Sequence, residues 1–257
     1  MNILERIAEM TKERVARDKK TGLPAAPTRR REPFSFENNL RGEDISFICE
    51  VKKASPSKGI ISQEFAYLDI AREYETAGAA AISVLTEPEY FQGRDSYLTE
   101  ISECVDVPVL RKDFIIDPFQ IEQAATLGAD AILLICAILT SAQLAEYIKE
   151  AERLGLSCLV EAHDEAELNM ALRAGARVVG VNNRNLKTFE IDMENSIRLR
   201  KLAPRDIIFV SESGIRTAQD VDLLRQNGVD AVLIGETLMR SPDKKAALAK
   251  LRGSSHE

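Results

Sequence analysis

The sequence predicts an α/β protein, a closed (β/α)8 TIM barrel with an extra N-terminal helix. The first observation is a repeated phrase of helix end, glycine and buried strand. It occurs at Ala77-Gly78 to Leu85, Leu127-Gly128 to Leu134, Ala174-Gly175 to Val181 and Asn227-Gly228 to Ile234, with the glycines spaced about 50 residues apart. The second is a set of apolar runs halfway between these phrases, at Ile45–Lys52, Val107–Lys112, Ser157–Ala162 and Ile207–Ser211. Eight strands alternating with helical patterns, one unit per about 25 residues, argue for a parallel sheet. The third is that no Gly-x-Gly-x-x-Gly turn follows the first strand, which disfavours an open doubly wound sheet.

Taken in order, residues 2–17 read as an amphipathic helix with Ile3, Leu4, Ile7 and Met10 on one face, fit to lie as a lid over one end of the barrel. Lys19–Pro33 carries Gly22, Pro24, Pro27 and Pro33 and reads as a connector, its Arg29-Arg30-Arg31 triplet a solvated arm rather than a clamp. Helices are then expected over Tyr67–Ala77, Pro118–Leu127, Ser141–Leu154, Asp164–Ala174 and Thr217–Asn227 between the strands.

Composition narrows the function classes. A chain of 257 residues, 45% apolar and 29% charged, suits one large domain or two small ones; the run of eight units selects one domain over residues 1–257, with 1–44 an N-terminal helical extension. Net charge of −7, from 41 acidic and 34 basic residues, argues against a nucleic-acid binder and leaves a small anionic ligand dependent on a local basic site. Cys49, Cys104, Cys136 and Cys158 stand far apart in or beside apolar stretches, so they read as reduced core thiols of a cytoplasmic protein. The longest apolar run, Ala131–Leu139, falls short of the ~20 residues of a membrane span, and no apolar signal-peptide core opens the chain. With only His163 and His256, no metal centre is expected. A monomer or weak homodimer is expected, the N-terminal helix capping its own barrel or a neighbour's.

In such a barrel the functional groups come from the carboxyl ends of strands and the loops that follow. Period-two alternation puts Glu50 and Lys52 on one face, and the other strand ends supply Lys112, Glu161, Asn182 with Arg184, and Glu212 with Ser213. A lysine facing several carboxylates at four separate strand ends fits an acid–base site better than a costly ion-pair cluster. Whether burial or the carboxylates dominates that lysine's pKa is open at this point. Ser213-Gly214 and Gly235-Glu236 each open a helix with free N–H groups, and Ser55, Ser57 and Lys58 stand across the mouth, so a phosphorylated ligand is expected there. Tyr90 and Phe91 in a polar loop, with Phe114 just past Lys112, point to a ligand with an aromatic ring.

The strings Glu50-Val51-Lys52 with Ser55-Pro56-Ser57, Thr86-Glu87-Pro88-Glu89-Tyr90-Phe91, Arg111-Lys112-Asp113-Phe114, Val160-Glu161-Ala162-His163, Asn182-Asn183-Arg184-Asn185-Leu186, Glu212-Ser213-Gly214 and Gly235-Glu236-Thr237 occur in this order along nearly the whole chain. Together they resemble the indole-3-glycerol phosphate synthase family of the tryptophan pathway. The resemblance implies closure of 1-(2-carboxyphenylamino)-1-deoxyribulose 5-phosphate to indole-3-glycerol phosphate, with loss of carbon dioxide and water and no cofactor. It implies Lys112 as general acid, Glu161 as base, Lys52 as second acid or anion clamp, and Glu50 orienting the lysines. By the same resemblance Asn182 and Arg184 hold the anthranilate carboxylate and sugar hydroxyls, with Glu212 adding to the field. Ser55, Gly214 and Gly235 with their neighbours take phosphate, and Phe91, Phe114 and Leu186 sandwich the ring. Glu236 is awkward beside an anion, so its side chain is expected to point outward. Phosphoribosylanthranilate isomerase, which would use a strand-one cysteine in a Cys/Asp pair, is the competing reading, but Cys49 has the opposite parity to Glu50 and Lys52. A non-catalytic phosphosugar-binding barrel would lack the acid that Lys112 provides.

Overall fold

A computed structural model describes residues 3–24, 31–185 and 188–253. Eight parallel strands close on themselves in sequence order: β1 (Ser46–Val51), β2 (Ala81–Leu85), β3 (Val109–Lys112), β4 (Ala131–Ile135), β5 (Ser157–Ala162), β6 (Val178–Asn182), β7 (Ile208–Glu212) and β8 (Ala231–Ile234). The expected TIM barrel is therefore present. Gly78, Gly128, Gly175 and Gly228 all have φ between +76° and +90°, the left-handed helix exit on which the repeat was read.

Alternation along each strand divides the apolar residues into two cores. Ile48, Leu110, Leu133, Leu159, Val210 and Leu233 fill the barrel, whereas Phe47, Cys49, Val84, Ile132, Val160 and Phe209 face the helices. The helices outside are α3 (Tyr67–Thr76), α4 (Asp95–Cys104), α5 (Pro118–Thr126), α6 (Ser141–Arg153), α7 (Glu165–Arg173), α8 (Glu194–Arg200), α9 (Ala218–Gln226), α10 (Glu236–Met239) and α11 (Lys244–Arg252). Side chains start several of them: Thr140 and Gln143 form a capping box on α6, Thr217 and Asp220 one on α9, and Asp117 caps α5 ahead of Pro118.

The N-terminal extension closes both ends of the barrel rather than one. Helix α1 (Ile3–Thr21) crosses the carboxyl end, and α2 (Ser35–Leu40) plugs the amino end with Phe36 and Leu40. Asn39 reaches the Ala80 carbonyl just ahead of β2, and Glu37 pairs with Arg177 just ahead of β6. Helix α1 is longer than the 2–17 expected, and its buried stripe is Leu4, Ile7, Thr11 and Val15, a spacing of one helical face. Met10 lies off that stripe and is exposed, against expectation. Each apolar side chain buried there contributes about 1.5–3 kcal/mol.

Arg31 also corrects the sequence reading. Instead of ending a solvated arm, its guanidinium pairs with Asp130 at 2.9 Å and donates to the Ser102 and Val105 carbonyls, fastening the connector beneath α4. Arg29 and Arg30 lie outside the described residues. All four cysteines are free thiols, three of them buried. Among the described residues no helix is long and apolar enough to cross a membrane.

Candidate active site

The lumen residues of each strand continue in phase to its carboxyl end, so the last inward positions of β1, β3, β6 and β7 open into one cavity of about 470 Å³. Glu50, Lys52, Lys112, Asn182 and Glu212 line it. Glu161 reaches its edge through Lys112, whose Nζ is 3.8 Å from Glu161 Oε2 and 3.8 Å from Glu212 Oε2. Lys52 Nζ donates to Glu50 Oε1. Glycine at 235 leaves room for this pair: a Cβ there would push the Glu50 carboxyl and Lys52 amine aside. Gly180 plays the same part beneath Glu212, whose carboxyl a Cβ would meet.

Three carboxyls thus meet two amines, one negative charge more than the cluster can neutralise. Burial alone would lift the Glu50 pKa, but Lys52 and Lys112 overcome it and hold the group below the usual carboxylate range. Burial would lower the Lys112 pKa, yet Glu212, Glu161 and Glu50 outweigh it and the net shift is upward, which answers the question the sequence left open. The surplus proton falls on Glu212: burial, with Glu161 and Glu50 adding to it, pushes its carboxyl up to about 8 against the opposing pull of Lys112. Its Oε1 is buried without a hydrogen-bond partner.

A carboxyl near 8 when folded and near 4.5 when unfolded holds a proton that the unfolded chain has lost across that interval, so its contribution is present below pH 4.5 and lost as pH rises through 8. Glu212→Gln removes that dependence. The variant is expected to melt several degrees above wild type at pH 9 and close to it at pH 5, as thermal unfolding followed by circular dichroism will show.

At one end of the cavity, Ser213 and Gly214 are both left-handed, with φ of 68° and 92°, turning the chain sharply into the loop before α9. Thr237 Oγ1 donates to the Ile215 carbonyl at 2.8 Å and ties this loop to the one after β8. Ser55 and Ser57 line the facing wall, while Lys58 sits at the rim with Nζ 3.8 Å from Glu236. Glu236 is among the lining residues, and its carboxylate pairs with Arg240 at 3.0 Å and Lys58 at 3.8 Å. At the other end Phe91 and Phe114 stand 6.2 Å apart between ring centres, with Ile3, Leu4 and Ile7 of α1 above them. Glu87 shapes that loop by accepting the backbone N–H groups of Glu89, Tyr90 and Phe91. Tyr90 is half-buried against the lumen core. Arg184 lines the cavity, its backbone N–H bonded to Asn182 Oδ1 at 3.1 Å. Leu186 lies outside the described residues.

Sequence reasoning passed over Arg216 and Arg240, which line the cavity beside the two glycine turns. Arg216 lies within the loop that the Ser213-Gly214 turn opens, and Arg240 is one helical turn past Glu236, so both were within reach. It also passed over His163, whose Nε2 is 3.4 Å from Glu161 Oε1; the shared parity of positions 161 and 163 was the available signal. Among the described residues no three His, Cys, Asp or Glu side chains form a metal-binding group.

Fold and site together define a barrel equipped for acid–base chemistry on an anionic, partly aromatic ligand. The family model described as indole-3-glycerol phosphate synthase matches residues 3–251. A protein of that name from Ruminiclostridium cellulolyticum is 61% identical, over 98% of this chain and 100% of its own, and one from Endomicrobium trichonymphae is 54% identical, over 97% and 99%. This chain belongs to the indole-3-glycerol phosphate synthase family. A crystal structure of 3-hexulose-6-phosphate synthase from Salmonella typhimurium shares the fold at a TM-score of 0.67, with 16% identity, covering 80% of this chain and 96% of that one.

Proposed function

We infer that the barrel mouth performs the carboxy-lyase reaction of tryptophan biosynthesis, closing 1-(2-carboxyphenylamino)-1-deoxyribulose 5-phosphate to indole-3-glycerol phosphate with loss of carbon dioxide and water. The observation that carries this reading is Lys112, an ammonium 3.8 Å from each of two carboxyls at the mouth of a cavity with an aromatic wall. As the ring carbon bearing the carboxylate attacks the ketone carbon, Lys112 protonates the ketone oxygen. Carbon dioxide then leaves with its bonding electrons returned to the ring. Dehydration follows: Glu161 takes a proton from the neighbouring carbon and Lys52 protonates the departing hydroxyl. Two protons are given and one is taken, so each turnover draws one proton from solvent.

The remaining residues bind. Glu50 orients both amines by its ion pair with Lys52 and its field at Lys112. Glu212, carrying its proton below pH 8, donates a hydrogen bond to a sugar hydroxyl, and Asn182 and Arg184 take the carboxylate and the remaining hydroxyls. Phosphate goes to Ser55, Ser57, Lys58, Ser213, Gly214, Gly235 and Glu236, the last through its backbone N–H. This is the end of a TIM barrel, after strands seven and eight and beside a short extra helix, where phosphate sites recur. Phe91 and Phe114 cover the ring. The isomerase alternative is disfavoured because Cys49 packs outward among the helices and burial pushes its thiol up to about 12.

We also propose a cytoplasmic compartment, on the four free thiols, and a single domain over 1–257 that works as a monomer or weak homodimer. The deciding experiment incubates purified protein with the carboxyphenylamino substrate and follows indole fluorescence. Turnover is expected without added metal or cofactor, and absence of product overturns the assignment.

A further inference from the structure

Glu161 sits at the end of β5, and His163, two residues on, faces the same way. His163 Nε2 lies 3.4 Å from Glu161 Oε1 and makes no hydrogen bond, although it is buried. On the other side of the ring, Nδ1 is 2.9 Å from Glu167 Oε2, the same oxygen that accepts the His163 backbone N–H. A carboxylate only accepts, so Nδ1 carries the hydrogen and Nε2 of the neutral ring presents a lone pair to Glu161. In that neutral form two lone pairs face each other until a proton arrives between them. Exposure rises along the chain of groups, from 4% for the Glu161 side chain to 18% for His163 and 22% for Glu167.

We propose that His163, held by Glu167, takes the substrate proton from Glu161 and passes it to solvent through the side of the barrel. This rests on the ring-closure reading above and extends it. In the step, the Glu161 O–H bond breaks as the Nε2–H bond forms, the imidazolium is stabilised by the Glu167 carboxylate, and water then removes the proton; no oxidant or further reactant is required. Glu161 is thereby an anion again before the next substrate binds. The groups facing the ring favour its protonated form: burial opposes it, but Glu167, Glu161 and, from β7, Glu212 together raise the His163 pKa above its ordinary value. Asp164, next along the chain, spends its carboxylate capping α7 by accepting the Glu167 backbone N–H. The Asn195 amide from α8 donates to the His163 carbonyl, and Cys136 after β4, whose thiol burial pushes up to about 12, bonds the Glu167 carbonyl. His163 is accordingly a positioning and relay residue, acting on substrate only through Glu161.

His163→Asn tests it, because the asparagine amide retains a donor for Glu167 where Nδ1 stood and removes Nε2. The expected result is a fall in kcat of about 10- to 100-fold with KM within about twofold, an acid limb of the kcat–pH profile displaced from wild type, and partial recovery with imidazole in the buffer. Wild-type kcat and pH profile in the variant would mean that Glu161 discharges elsewhere, for instance back to Lys112, and would overturn the relay. A fall in kcat with an unmoved profile and no imidazole recovery would also overturn it, leaving His163 a structural role alone. Should His163→Asn not fold, Glu167→Gln keeps the shape, removes the charge that stabilises the imidazolium, and is expected to move the acid limb likewise; an unmoved limb overturns the relay. Failure of wild type to form product would instead sink the functional assignment, so the two outcomes are distinguishable.

Discussion

Replacing Lys112 by alanine is expected to lower kcat by about 10²- to 10⁴-fold, the range over which a positioned general acid contributes. The loss should fall on kcat more than on KM, because the proton is donated to the ketone oxygen only as the transition state forms. Lys112→Arg separates two explanations. A guanidinium keeps the positive charge between Glu161 and Glu212 but does not give up a proton at any working pH. If proton donation to the ketone oxygen is the role, the arginine variant stays within about tenfold of alanine. If the field alone mattered, arginine would recover most of the rate. Single-turnover fluorescence of the forming indole reads the chemical step directly and decides between them, and full activity in the alanine variant would remove Lys112 from the mechanism.

What could be read from the sequence here is what alternation propagates. Ile48, Leu110, Leu159, Val210 and Leu233 fill the barrel, and counting on by twos from them arrives at Glu50 and Lys52, Lys112, Glu161, Glu212 and Gly235. No contact map was needed to see that these share a lumen, nor that Cys49 does not. The helix-exit glycines were equally legible, since a left-handed φ leaves a compositional mark that a buried apolar contact does not.

Partnership was less legible. Arg31 reads as one of three solvated arginines because nothing near it in sequence says that Asp130, 99 residues away, will receive it. Helix α2 announces itself poorly: Phe34 at its start is left-handed and its side chain makes no capping bond, so Ser35–Leu40 is held by Phe36 and Leu40 in the barrel rather than by local signals. Glu236 was expected to avoid an anion on the strength of the turn alone, without the cations Lys58 and Arg240 that pair with its carboxylate. His163 was weighed only as a metal ligand, and its bond to Glu167 depends on the opening turn of α7 packing back over the end of β5.

Asp113→Ala is expected to be the most destabilising single substitution near the site, although the residue faces away from the cavity. Its carboxylate is fully buried and accepts from Arg14 at 2.7 Å, Thr86 at 2.7 Å, the Phe114 backbone N–H at 2.8 Å and Arg111 at 3.3 Å. Those bonds join α1, the loop after β2 and the end of β3, the three pieces that frame the aromatic end of the cavity. Truncation leaves Arg111 buried with one carboxylate fewer, a loss of about 3–5 kcal/mol for breaking a buried pair. At about 2–4 °C per kcal/mol for a chain of this size, the melting temperature should drop by about 6–20 °C. Burial works against ionisation of Asp113, but Arg14 and Arg111 overcome it and hold its pKa below 3.8, so the contribution is present above that pH and lost as pH falls through the folded value. The gap between wild type and Asp113→Ala in urea unfolding should therefore be full at pH 7 and shrink at the acid end. Arg14→Met cuts the α1 link while sparing Asp113 its bond to Arg111, so it should cost less stability and raise KM instead, by loosening Ile3, Leu4 and Ile7 over the ring. A melting temperature for Asp113→Ala within about 2 °C of wild type, less than about 1 kcal/mol, would show that α1 and β3 are held together by apolar packing alone.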